Sequence, residues 1–89
     1  MAHSNQAKKR VRQNERRAAR NRPLRTSASR RVRDAREAIM DGDPDAADYV
    51  RSAQSALDRA AKRNVIHRNA AARRKSRLAA QLKAAQGAD

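Results

Sequence analysis

The residues best suited to chemistry in this sequence are lysines and arginines, whose chemistry is the binding of anions. The chain has 23 of them among 89 residues, against 9 acidic residues, and its formal net charge is +14. Two clusters at helical spacing consist of Lys8, Lys9, Arg10, Arg12, Arg16, Arg17 and Arg20, and of Arg73, Arg74, Lys75 and Arg77. Guanidinium forks fit phosphate oxygens, and cations at this density repel one another unless an anion neutralises them. The clusters therefore predict a polyanionic partner.

The charge is also divided along the chain. Residues 1–36 carry a net +11, residues 37–58 a net −5, and residues 59–89 a net +8. A solvated surface would intersperse the signs, so this division predicts two polyanion-binding ends and a central segment that faces away from the polyanion. A genome rich in arginine codons would also explain why arginine outnumbers lysine, but it would not explain the net charge.

Other kinds of chemistry have little support in the sequence. There is no cysteine, and His3 and His67 are too far apart to suggest a metal site. Ser52, Ser55 and Ser76 have no clustered histidine and carboxylate beside them, and no glycine-rich phosphate loop is present. We therefore expect no enzyme, no cofactor and no small-molecule substrate.

The sequence also bears on where the protein works. No apolar run is long enough to span a membrane, and the N-terminus has no apolar segment typical of a secretory signal. We expect a cytoplasmic protein with no membrane partner. An organellar transit peptide, which is also arginine-rich and poor in acidic residues, is the alternative.

The elements that must position the basic clusters are helices with a small core. The chain has 4 Leu, 2 Ile and 4 Val, no Phe or Trp, and 21 Ala. Alanine favours helix but buries little area, so strong local helicity with a weak tertiary core is expected. Apolar residues recur every three or four positions over three stretches. We predict an all-α protein, a three-helix bundle with a long, basic, projecting N-terminal helix. It forms one domain over 1–89, with helices at about 5–40, 44–63 and 68–86.

Proline, glycine and asparagine mark the boundaries of these helices. Pro23 predicts a kink or a new helix start within the first helix. Gly42 should end that helix, with Asp43 as the N-cap and Pro44 in the first turn of the second helix. Asn64 can end the second helix in the left-handed conformation that asparagine tolerates.

Two single residues have alternative interpretations. Tyr49, the only aromatic residue, flanks the apolar stripe of the second helix and is predicted to join the core rather than a ligand site. For His67, the residues alone favour packing or capping between helices over a contact with RNA.

The scarcity of aromatic residues also limits the kind of partner. Proteins that read single-stranded RNA usually stack bases on aromatic rings, so folded, double-helical RNA is the better match. A helix-turn-helix is disfavoured because basic residues surround the first helix instead of covering one face. A DNA-compacting protein would usually need a dimer interface or a minor-groove wedge, and neither is evident. A membrane-active peptide would need Trp or Phe on an apolar face.

A longer motif relates the chain to a known family. The stretch Leu57–Leu82, LDRAAKRNVIHRNAAARRKSRLAAQL, resembles the C-terminal signature of bacterial small-subunit ribosomal protein twenty, with Ile66–Asn69 and Ala71–Leu78 as its core. Met40–Asp43 resembles the helix–helix turn of the family, and the N-terminal basic helix matches in kind. Pro23 departs from the usually continuous first helix, and Asn64 replaces the glycine usual before the apolar Val-Ile pair.

The resemblance implies a three-helix bundle with an extended first helix, bound to 16S ribosomal RNA in the small (30S) subunit and supporting its assembly and stability. It also implies that His67 contacts RNA. The first helix is expected to order fully only on binding. The candidate RNA-binding residues are Lys8, Lys9, Arg10, Arg12, Arg16, Arg17, Arg20, Arg25, Arg30, His67, Arg68, Asn69, Arg73, Arg74, Lys75 and Arg77.

Overall fold

The architecture consists of three helices joined by two tight turns. A computed structural model describes residues 5–87, which form α1 (Asn5–Met40), α2 (Ala46–Lys62) and α3 (Arg68–Gln86). The predicted all-α fold with a long first helix is confirmed. The molecule measures 68 × 20 × 18 Å, because α1 is about twice as long as either helix packed against it.

Pro23 lies inside α1, and the helix continues through it from Asn5 to Met40. The alternative that Pro23 starts a new helix is therefore wrong. Proline removes one backbone donor, but the residues on both sides are good helix formers, and the Pro23 ring lies at an exposed position. The core-facing stripe of α1 begins at the next residue, Leu24, so packing holds the helix from that point onward.

The first turn begins as expected at Gly42, which has a φ of +66°. Its amide donates to the carbonyl of Ile39 at 3.2 Å, and the Asp43 amide donates to the carbonyl of Ala38 at 3.0 Å. These two bonds form a Schellman motif, which satisfies the last carbonyls of α1 and reverses the chain.

The start of α2 differs from the prediction. The helix begins at Ala46 with Asp45 as its N-cap, and the Asp45 side chain makes no capping bond. Asp43 was expected to be the N-cap. Instead, its Oδ1 accepts a hydrogen bond from the Asp45 amide at 2.8 Å. The carboxylate of Asp43 thus stabilises the turn before the helix, because short Asp side chains readily bond the backbone two residues on.

The second turn repeats the geometry of the first with asparagine in place of glycine. Asn64 has a φ of +58°, its amide donates to Ala61 at 3.0 Å, and the Val65 amide donates to Ala60 at 2.8 Å. Asparagine tolerates this left-handed conformation, so the departure from glycine leaves the turn intact. Val65 is buried immediately after it and seals the end of the core.

The core between the helices consists mainly of alanine. Buried together are Ala28, Val32, Ala35, Val50, Ala53, Ala56, Leu57, Ala60, Val65, Ala71 and Leu78. Among residues 5–87, Leu57 and Leu78 are the only large side chains that are fully buried. The prediction that Tyr49 joins the core is wrong, since 43% of it is exposed. Small side chains bring α1 and α2 close together, and the ring of Tyr49 lies outside the seam.

Candidate nucleic-acid interface

The first predicted basic cluster lies on the part of α1 that precedes the packed core. Every residue from 5 to 20 is exposed, including Val11 at 55%. We call residues 5–20 the N-terminal arm. It carries the predicted residues Lys8, Lys9, Arg10, Arg12, Arg16, Arg17 and Arg20. Within the described part of the chain none of these side chains has an ion pair. The arm therefore presents cations around its circumference, as phosphate contact on several sides requires.

The second predicted cluster lies on the outer side of α3. Ala71 and Leu78 are the buried residues of this helix, while Arg73, Arg74 and Arg77 are exposed. We call these three arginines the α3 outer face. No ion pair engages them among residues 5–87. Their stems extend from a helix that Ala71 and Leu78 anchor to the core.

Lys75 belongs to the predicted set, but the structure gives it an intramolecular partner. Its Nζ lies 2.9 Å from Oδ1 and 3.2 Å from Oδ2 of Asp58. This ion pair joins α3 to α2 and is partly shielded, with 35% of the Lys75 side chain exposed. The sequence did not reveal it, because the two residues are 17 positions apart and meet only when the helices pack.

Arg25 also contributes to the fold. Its guanidinium donates to the carbonyl of Val65 at 3.3 Å and so ties α1 to the second turn. Arg30 is exposed on α1, and its side chain makes no hydrogen bond or ion pair within residues 5–87. Of these two predicted residues, Arg30 is the freer to reach an anion.

Three further predicted residues lie where the second turn meets α3: His67 precedes the helix, Arg68 and Asn69 begin it, and all three are exposed. His67 is the N-cap of α3, and its Nδ1 accepts a hydrogen bond from the Asn69 amide at 3.0 Å. The capping interpretation is therefore confirmed. With Nδ1 accepting, Nε2 is free to point outward as a donor, so capping and RNA contact are compatible.

Arg63 is an exposed arginine that sequence reasoning missed. It ends α2 beside Asn64, and both residues line a groove with Arg17, Arg20 and Leu24 of α1. The sequence offered only a weak signal, a basic residue before a left-handed turn. Its proximity to the arm depends on the antiparallel packing of α1 and α2.

The acidic residues gather at the other end of the bundle. Glu37, Asp41, Asp43, Asp45 and Asp48 surround the first turn. About 20 helical residues separate this turn from the arm, a rise of roughly 30 Å. Asp48 pairs with Arg51, and Asp34 lies 3.9 Å from Arg33. The molecule is therefore electrostatically polarised along its long axis, with cations at the arm and anions at the first turn.

The arrangement is suited to ionic binding of phosphate groups. No polar or charged side chain is buried within residues 5–87, so the ionisable groups remain in contact with solvent. His3 lies outside the described residues, and no group of three potential ligands for a metal occurs among those described. None of the helices in the described range is long and apolar enough to cross a bilayer.

Comparison with known proteins gives a consistent result over nearly the whole chain. A family model described as Ribosomal protein S20 matches residues 2–83. The small ribosomal subunit protein bS20 of Roseiflexus sp. (strain RS-1) is 48% identical over 88 residues, which cover 99% of this chain and 97% of the relative. The protein of that name from Dinoroseobacter shibae is also 48% identical, over 94% of this chain and 97% of its own. The one from Ruegeria sp. (strain TM1040) is 49% identical over 94% and 98%.

Proposed function

Because the chain belongs to the ribosomal protein S20 family, we propose that it binds 16S ribosomal RNA directly and supports assembly and stability of the small (30S) subunit. The coarser role follows from the family: the protein is a structural, non-enzymatic component of the small ribosomal subunit. The proposal concerns the RNA contacted, the residues that contact it and the cytoplasmic ribosome as the place of action.

The single observation that carries the proposal is the N-terminal arm. Its seven lysines and arginines surround an exposed helix without any ion pair among the described residues. In water, cations on all sides of a helix destabilise it electrostatically, because the charges repel one another. Placed between RNA backbones, the same helix neutralises phosphates on more than one side and releases their counterions.

The position of Tyr49 favours folded RNA over single strands. It is the only aromatic residue in the sequence and lies in a surface depression with Asp34, Asp45, Asp48, Arg31 and Ser52. Three carboxylates against one guanidinium give this surface a net negative charge, which disfavours phosphate. No stacking platform for unpaired bases therefore accompanies the basic surfaces. Recognition of the shape and phosphate spacing of double-helical RNA remains the better match.

The arm and the α3 outer face together account for a role in assembly. The arm projects beyond the end of the bundle, whereas Arg73, Arg74 and Arg77 lie along one side of it. We infer that the two surfaces contact different RNA segments and hold them together by neutralising phosphates that would otherwise repel. The arm buries no side chain in the protein, so we expect its helix to become fully ordered only on RNA.

The test compares binding to purified 16S ribosomal RNA with binding to duplex DNA of equal phosphate content, across a salt series. Phosphate contacts should make both affinities fall steeply with salt, with a slope of about −0.9 per contact on duplex DNA. Affinity for 16S RNA that survives where DNA binding is lost would support shape-specific recognition. Coincident curves would contradict it and favour general polyanion binding, as in a DNA-compacting protein.

A further inference from the structure

The place where the N-terminal arm leaves the bundle forms an open groove with arginines on both sides. Arg17 and Arg20 come from α1, and Arg63 comes from the turn after α2. The complete lining is Arg17, Arg20, Asn21, Leu24, Arg63 and Asn64. We call this feature the junction groove. Its two walls are more than 40 residues apart in sequence, so only the folded chain brings these guanidinium groups together.

The junction groove has the charge of an anion site. No acidic residue lines it, and within residues 5–87 none of its three arginines has an ion pair or a side-chain hydrogen bond. By contrast, Arg31, Arg33 and Arg51 elsewhere on the molecule contact serine or aspartate. The groove therefore concentrates unused guanidinium donors on a surface whose floor includes the half-buried Leu24.

The backbone around the groove is held in place by contacts on both walls. The left-handed Asn64, with a φ of +58°, sets the direction of the turn that carries Arg63. One helical turn beyond Asn21, the guanidinium of Arg25 donates to the carbonyl of Val65 at 3.3 Å. These contacts fix the spacing between α1 and the turn, so the Arg17–Arg20 wall and the Arg63 wall face each other in a preorganised arrangement.

We propose that one RNA backbone segment crosses the junction groove and that Arg20 and Arg63, assisted by Arg17, hold the same phosphate group. The inference rests on the proposed function and adds to it a specific site and a residue, Arg63. Planar guanidinium forks suit phosphate oxygens. The groove is open and about 430 Å³ in volume, so it admits a sugar–phosphate segment of a polymer rather than enclosing a small ion. A phosphate bound by both walls bridges the N-terminal arm and the turn after α2.

The experiment is a double-mutant cycle on affinity for 16S ribosomal RNA, with R20Q, R63Q and the R20Q/R63Q double variant of the full chain. Each single change should weaken binding about tenfold, the value of one charge-assisted hydrogen bond. Each should also lower the magnitude of the salt slope by about one. If one phosphate bridges the two residues, the double variant should lose clearly less than the product of the single losses.

The matched control is R36Q, which removes the same charge from an exposed position of α1 outside the groove. It should leave affinity and salt slope nearly unchanged. Glutamine keeps helix propensity close to that of arginine, and thermal melting of each free variant will verify that it folds. The shared-phosphate site is overturned if R20Q and R63Q each lose no more affinity than R36Q. It is also overturned if the loss of the double variant equals or exceeds the product of the two single losses.

Two further comparisons distinguish failure of this site from failure of the proposed function, and RNA binding from binding of a free anion. If the parent chain shows no preference for 16S RNA over duplex DNA, the proposed function fails. If that preference stands while the cycle shows no coupling, only the junction groove fails. Inorganic phosphate, tested against chloride at equal ionic strength, should not raise the melting temperature. A rise that R63Q abolishes, without coupling on RNA, would assign the groove to a free anion and overturn the RNA site.

Discussion

Neutralising part of the N-terminal arm should weaken RNA binding without weakening the fold. The variant replaces Arg10, Arg12 and Arg16 with glutamine. All three residues are exposed, and no ion pair among the described residues involves them. Removal of their charge therefore breaks no intramolecular ion pair, and any loss of affinity arises from contacts with the partner.

The magnitude follows from counterion release. If each of the three residues neutralises one phosphate, the salt slope should shrink by about 2.7, at about 0.9 per contact. At 0.15 M salt each lost contact lowers the logarithm of the binding constant by about 0.7, so affinity should fall by about a hundredfold. The midpoint of urea denaturation should stay at the parent value, since the core is untouched.

The assay is equilibrium binding of the full chain to 16S ribosomal RNA from 50 to 400 mM KCl at constant magnesium. The control replaces Arg33, Arg36 and Arg51 with glutamine, which removes the same charge from exposed positions outside the predicted interface. An equal loss of slope in both variants would refute the reasoning, because net charge rather than the arm would then govern binding. An unchanged slope in the arm variant would show that these three residues contact no phosphate.

Three further predictions concern residues that connect the fold to the interface. Lys75→Met should lower the free energy of unfolding by about 0.5 kcal/mol, because the ion pair with Asp58 is lost. It should reduce RNA affinity less than Arg74→Met does. Equal affinity losses together with unchanged stability would contradict the ion pair. Leu78→Ala should cost about 3 kcal/mol in urea denaturation, a large share of the roughly 4–13 kcal/mol available to an 89-residue chain. A cost below about 1 kcal/mol would mean that Leu78 does not anchor α3. Asn64→Gly should leave the melting temperature nearly unchanged. Asn64→Ala should lower the free energy of unfolding by about 1 kcal/mol, because a positive φ is unfavourable for alanine. Equal destabilisation by both changes would contradict the left-handed turn.

The interface itself could be predicted from sequence only in part. The arm follows from the charge and spacing of seven basic residues, and the structure leaves all of them exposed. Lys75 and Arg25 were predicted by the same reasoning, yet they contact Asp58 and Val65 in the fold. Sequence shows that a residue is cationic, but its availability depends on which groups the packed helices bring near it.

What the sequence by itself determined is the local structure. Helical periodicity, Gly42 and Asn64 specify three helices and the left-handed residues between them, because these preferences arise from a few neighbouring residues. The N-cap of α2 was predicted wrongly at Asp43, because the hydrogen bond from the Asp45 amide to the Asp43 carboxylate belongs to the turn and α2 begins after Asp45. The effect of Pro23 also depended on more than its own residue type. The helix-forming residues on either side keep α1 continuous although proline removes one backbone hydrogen bond.

Only the tertiary structure decided the contacts between residues that are more than a helical turn apart in sequence. The exposed ring of Tyr49, the Lys75–Asp58 pair and the junction groove of Arg17, Arg20 and Arg63 all result from the close packing of alanine-rich helices. Periodicity predicts which face of a helix is buried, but it contains no information about the register between helices. That register is set by packing of the whole core, and it places a turn after α2 beside the base of the N-terminal arm.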